Sequence, residues 1–205
     1  LRFARNIMLA HILTKFDYGA CVALLTVVTS AQLLTDFGFD KMLIQDRSIA
    51  VRELQPVLTS LSALRAGVAG VLLLALSEPA ATLFGAPNAT GAFALLSVGV
   101  VMQGFYHLDP IRLQRHHEFL PLAYQTVAIS LIDFIVGLSV AYLLRGSLAV
   151  PIAFVASSAA GLIDSQILAK ERFSLQWNLA IVKRAWKFGS TLVLSGIIIL
   201  LASQA

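Results

Sequence analysis

The 205-residue chain is 58% hydrophobic and 13% charged, with a mean hydropathy of +0.83, a balance that leaves too much apolar surface for a protein dissolved in water. The net charge of +4 does not indicate nucleic acid, because twelve of the 15 Lys and Arg residues are spread among loops rather than gathered into one patch, and the other three fall within spans. The single cysteine, Cys21, excludes an intramolecular disulfide within these residues, has no metal spacing around it, and is expected to serve as a small buried hydrophobe.

Residues 18–35 and 146–163 are each uncharged over 18 positions, and a bilayer core about 30 Å thick needs roughly 20 apolar helical residues to cross it. Six or seven spans are predicted on this basis, over residues 1–14, 19–43, 56–77, 90–108, 120–144, 148–168 and 188–205. They are helices, since Leu, Ala, Ile and Val recur without the turn-punctuated alternation of an outer-membrane barrel, and hydrocarbon admits only helices and closed barrels. The expected fold is therefore an all-α, polytopic transmembrane helical bundle. Leu1 is not a Met, and the apolar run through Ala205 has no polar exit, so the chain reads as a fragment. It divides into a six-span transmembrane bundle over residues 1–168, a cytoplasmic amphipathic linker over 169–187 and a seventh span over 188–205.

Loop charge sets the expected orientation. Loops after the second, fourth and sixth spans hold ten cations (Lys41, Arg47, Arg52, Arg112, Arg115, Lys170, Arg172, Lys183, Arg184 and Lys187), against Lys15 and Arg145 on the opposite side. The positive-inside rule puts the ten in the cytoplasm. Within the linker, Leu175, Leu179 and Val182 follow helical spacing, which predicts an amphipathic helix on the inner leaflet with Trp177 and Trp186 at headgroup level. The outer loop 78–90 is a Pro and Gly turn region whose Asn88-Ala89-Thr90 sequon is read as coincidental.

Polar residues recur inside the spans at helical spacing. Arg2, Arg5 and Asn6 share a face of the first, and Gln32, Asp36 and Asp40 are spaced by four on the second. Thr59, Ser62 and Arg65 follow on the third, and Gln103 and His107 on the fourth. Thr126, Ser130, Asp133 and Gly137 line the fifth; Ser157, Gly161, Asp164 and Ser165 line the sixth. At about 1.5 Å per residue, Arg65 lies about 12 Å and Asp133 about 18 Å from their cytoplasmic helix ends. A charge at that depth costs on the order of 3 kcal/mol, so it faces a partner or a hydrated cavity. Two readings follow: ion pairs that fix helix register, such as Arg65 with Asp36 or Asp133, or one shared cavity for an anionic substrate. Under the second, Arg5, Arg65, Asp36 and Asp133 bind substrate, while Arg2, Asn6, Gln32, Ser62, Gln103, Ser130 and Asp164 line the cavity.

Enzyme chemistry has no foothold. His116 and His117 are neighbours that diverge by about 100° on a helix and cannot share a metal. No phosphate loop, nucleophile elbow, metalloprotease helix or cysteine pair occurs, so no metal and no cofactor are expected. Asp109-Pro110 reads as the end of the fourth helix.

Several segments resemble bacterial polysaccharide exporters. ILTKFDYGA (Ile12 to Ala20) is similar to the "aRlLgpedyG" junction after their first helix, and LLTDFGFDKMLIQD (Leu33 to Asp46) to the "l.DfGl..aLvq" exit from their second. LFGAPN, RLQRHHEF and WKFGSTL follow in the family's order, so the likeness runs over nearly the whole chain. It resembles the O-antigen or oligosaccharide flippases of the multidrug, oligosaccharidyl-lipid and polysaccharide exporter superfamily. That resemblance implies a bacterial inner-membrane protein of 12 to 14 helices in two lobes, moving an undecaprenyl-diphosphate-linked oligosaccharide between leaflets. It also implies membrane lipid as surroundings, polymerase or glycosyltransferase partners, and no nucleic acid. A diphosphate calls for a cationic cavity, for which Arg5 and Arg65 are the candidates. His11 stands where the family usually has Arg, leaving that edge pH-dependent. A cation-coupled antiporter of the same superfamily, using Asp36 or Asp133, and a non-transporting scaffold docking through residues 169–187 are the alternatives.

Overall fold

The computed structural model describes residues 2–35, 37–46, 48–83 and 90–203. Among these residues the chain is all helical apart from its connections: α1 (Arg2–Ile12), α2 (Lys15–Leu34), α3 (Phe39–Gln45), α4 (Val51–Ala75), α5 (Ser77–Leu83), α6 (Thr90–Gly104), α7 (Asp109–Leu113), α8 (Leu120–Leu144), α9 (Ala149–Ile167) and α10 (Leu179–Ser203). Four of them, α2, α4, α8 and α9, are long and apolar enough to cross a membrane, and α6 is a shorter apolar helix. This is a polytopic transmembrane bundle. Its most extensive contacts run α4 to α6, α6 to α9 and α9 to α8; α1 packs on α8, and α2 touches α1, α4 and α6. The result is a ring of α1, α2, α6, α9 and α8 around a central space.

The outward faces are apolar, as lipid requires: Val127, Leu131, Ile135, Tyr142 and Leu143 on α8 and Leu64, Val68, Val71 and Leu72 on α4 are all exposed. Inside, one apolar core centres on Leu24, Val28, Leu73, Phe93 and Leu96, and another joins Leu9, Leu13, Cys21, Ala141 and Val150 near the start of α2. Cys21 is buried there.

Two expected spans come out differently. The second is not continuous to residue 43. Thr35 caps α2, its hydroxyl donating to the Ala31 carbonyl at 2.8 Å, and Gly38 turns the chain with φ of 61° before α3 begins. Asp40 consequently sits exposed on α3 and does not continue a stripe with Gln32. The linker is also different: residues 169–178 form no helix, whereas α10 runs unbroken from Leu179 to Ser203, the last described residue. α10 packs into the elbow between α2 and α3, where a Cβ on Gly189 would stand 2.8 Å from the Phe37 carbonyl, and Trp186 stacks on Phe37 at 5.1 Å.

The basic end of the bundle is tied by acids. Asp109 is fully buried; it pairs with Arg112 through Oδ1, and its Oδ2 accepts the backbone N–H groups of Lys170 at 2.6 Å and Glu171 at 3.2 Å. Burial pushes its carboxyl up, but these donors outweigh it and hold the group below its ordinary 3.8. Asp46 pairs with Arg184 at 2.7 Å, and its carbonyl accepts from Arg115 at 2.9 Å. Beneath these contacts lies a third core of Phe39, Met42, Leu43, Leu54, Leu58, Leu108, Ile181 and Ala185.

Candidate functional site

A polar cleft of about 370 Å³ opens inside the ring, within the range of small-molecule sites. Arg5 of α1 reaches it because Arg5, Leu9 and Leu13 are buried at intervals of four against α8. On α8, Gly137 lies one turn from Asp133 and the Arg5 stem packs beside it, where a Cβ would make ordinary contact with Arg5 Cδ at 3.5 Å. The guanidinium passes over Gly137 and pairs with Asp133 Oδ2 through Nη1, while Nη2 donates to Asn6 Oδ1 at 3.3 Å. Arg5 Nε is buried without a hydrogen-bond partner among the described residues.

Below this pair, Gln32 Nε2 of α2 donates to Gln103 Oε1 of α6 at 2.8 Å, and Gln103 Nε2 donates to Ser158 Oγ of α9 at 3.1 Å. The bridge ties three helices across the base of the cleft. Thr29, Ser130 and Ser157 complete the polar lining, with Leu25, Val28, Ile129, Val150 and Phe154 as apolar walls. A second recess of about 320 Å³ shares Asn6, Leu25, Thr29 and Val150 with it and continues along α2 to Tyr18 and Cys21. Hydroxyls and amides line the cleft beside one charge pair, whereas the second recess is walled largely by Leu9, Val22, Leu25 and Val150; the cleft can offer hydrogen bonds to a polar ligand.

A family model described as polysaccharide biosynthesis protein matches residues 8–205. The chain belongs to the polysaccharide biosynthesis protein family. No curated protein and no solved structure matches it.

In this polysaccharide biosynthesis protein, six expected site residues meet in the cleft: Arg5, Asn6, Gln32, Gln103, Ser130 and Asp133. Arg65 does not. It lines a separate groove of about 230 Å³ between α4 and α10, with Thr35, Phe37, Phe39, Leu61, Val68 and Trp186, and donates to the Thr35 carbonyl at 3.3 Å. Spacing by three misleads over two steps, because six residues turn about 600° and put Arg65 about 120° around α4 from Thr59. Ser62 is buried at the α4–α6 seam, where Gly104 lies against its carbonyl. Asp164 does not line the cleft, and its Oδ2 is buried without a hydrogen-bond partner among the described residues. Asp36 lies outside the described residues, as do the side chain of Arg2 and the sequon residues Asn88 and Ala89.

The expectation of one cavity shared by all six stripes is thus corrected to a cleft served by five helices, with α4 turned away from it. Thr29 was missed. Its signal was available, since it lies three residues before Gln32 on the same face of α2.

Proposed function

We propose that this chain is part of an inner-membrane flippase that moves a diphosphate-linked oligosaccharide lipid during surface polysaccharide assembly, with its basic end in the cytoplasm. The observation that carries the reading is the cleft: a run of amides and hydroxyls inside the spans of a family member, with one arginine at its centre. Sugars are held by such neutral donors and acceptors, and a guanidinium is suited to paired phosphate oxygens. Asp133 pairs with Arg5, and a diphosphate would compete for that guanidinium.

The double variant Arg5→Gln with Asp133→Asn tests this in the full-length protein. It removes both charges while keeping volume and hydrogen bonding, so membrane abundance is expected near normal and surface glycan is expected to be lost. Arg5→Lys keeps the charge without the fork and is expected to export partially. Normal export by the neutral pair would refute a substrate role and leave Arg5 and Asp133 as a packing element.

A further inference from the structure

At the basic end, away from the cleft, the first turns of α4 and the strap 169–178 enclose a pocket of about 500 Å³ that includes Arg52, Gln55, Arg112, Arg172, Ser174 and Gln176 in its lining. We propose that it binds the phosphate headgroup of an anionic membrane phospholipid. This site is independent of the reading given to the Arg5 cleft.

Four observations converge. First, the charge is positive and uncommitted. Arg112 is held by Asp109 and Lys170 by Glu118, but Arg52 and Arg172 have no acidic partner among the described residues, and Glu171 is the one acid in the lining. Second, Gln55 is 7% exposed, and its amide has no protein hydrogen bond among the described residues although it lines the pocket. The amide opens onto the pocket volume, where its N–H can donate to a ligand oxygen.

Third, the strap forms no helix, and its residues alternate in kind: Arg172, Ser174 and Gln176 line the pocket, while Leu175 and Trp177 are exposed outside it and Phe173 lies edge-on to His107 at 5.9 Å. Leu and Trp exposed at the end of a transmembrane bundle belong at the boundary between headgroups and acyl chains. Fourth, α4 has 25 residues, where roughly 20 span the hydrocarbon. Its first turn, with Arg52, therefore reaches headgroup depth, and its N-terminal dipole favours an anion there. The hydrophobic flank selects a lipid over a soluble phosphate ester. Asp109 keeps the strap in place by binding the Lys170 and Glu171 amides.

The test is native mass spectrometry of the full-length protein released from nanodiscs of mixed phosphatidylglycerol and phosphatidylcholine. The wild type is expected to retain phosphatidylglycerol selectively. Arg52→Gln with Arg172→Gln is expected to lower that retention about tenfold or more, since each cation near an anionic surface contributes on the order of 1 kcal/mol. Arg52→Lys with Arg172→Lys is expected to keep most of it. Lys183→Gln with Lys187→Gln, exposed at the same end, is the control and is expected to change nothing. Because Arg52 and Arg172 are exposed, folding is checked by an unchanged melting temperature in neutral detergent. Equal retention in the arginine-to-glutamine pair, or an equal loss in the control pair, overturns the site. Displacement of the lipid by millimolar inorganic phosphate overturns the lipid assignment in favour of a soluble phosphate.

Discussion

Two acids in this protein, one fully buried and one partly so, each face an arginine, and their surroundings differ. Asp109, at the basic end, has Arg112 on one oxygen and two backbone N–H groups on the other, with no exposure to solvent. Asp133, in the spans, pairs with an arginine that still has an unpartnered Nε and sits beside open volume. The first arrangement is saturated and fixes a shape. The second leaves donors and space for a competitor, so it is suited to exchange. A buried ion pair by itself says little about function; the count of remaining donors and the room around them separates a fastener from a site.

The contrast breaks most visibly at Asp109. Asp109→Ala strands Arg112 and two amides, and is expected to lower stability by about 3 to 5 kcal/mol in denaturant melts of the detergent-solubilised protein. The same group sets a pH dependence. Its folded value lies below 3.8, so its contribution is complete above that pH and is lost as the pH falls further. Hydrogen exchange of the Lys170 and Glu171 amides, corrected for intrinsic rate, should stay slow above that pH and accelerate only below it. In Asp109→Asn the acid-triggered step should be absent.

Next in size is Asp133→Ala, expected to cost about 3 kcal/mol by leaving Arg5 unpaired. Adding Arg5→Gln should recover most of that loss. Adding Arg112→Gln to Asp109→Ala should not, because the two strap amides still lack an acceptor. Similar recovery in both cycles would erase the distinction between the two sites.

Arg65→Ala is expected to lower stability by about 2 kcal/mol through its lost charged hydrogen bond, with export per molecule unchanged, as measured by surface glycan normalised to abundance. Loss of export at normal abundance would return Arg65 to the substrate path. Smallest is Gln103→Leu, where the hydrogen bonds to Gln32 and Ser158 are lost at an expected cost of about 1 kcal/mol in the same melts.

Legibility in the sequence followed physical range. α8 and α9 were readable nearly to the residue, because uninterrupted apolar runs depend on composition alone. The elbow at Gly38 was not: apolar residues flank it on both sides, and hydropathy is blind to a left-handed φ. Where a stripe kept to one helix face, as on α1 and α8, it identified that face but not which neighbour the face meets. Arg5 and Asp133 could therefore be nominated together, while Arg65 was grouped with them although α4 presents it to α10. Asp109 read only as the end of a helix, since its strap partners lie 61 and 62 residues away and no local pattern reports them. The strap's alternation was present in the letters, but Leu175, Leu179 and Val182 matched a helical period equally well.

The elbow between α2 and α3 works as a seat for the last helix. With Gly189 against Phe37 and Leu192 beside Gly38, the backbones meet closely enough that a methyl group on either glycine would collide. Such a joint resists rotation of α10 about its own axis, which would drive a larger side chain into Phe37. A side chain at position 189 would have to push α10 off the elbow, because the Phe37 backbone carbonyl cannot move aside as a side-chain tip can.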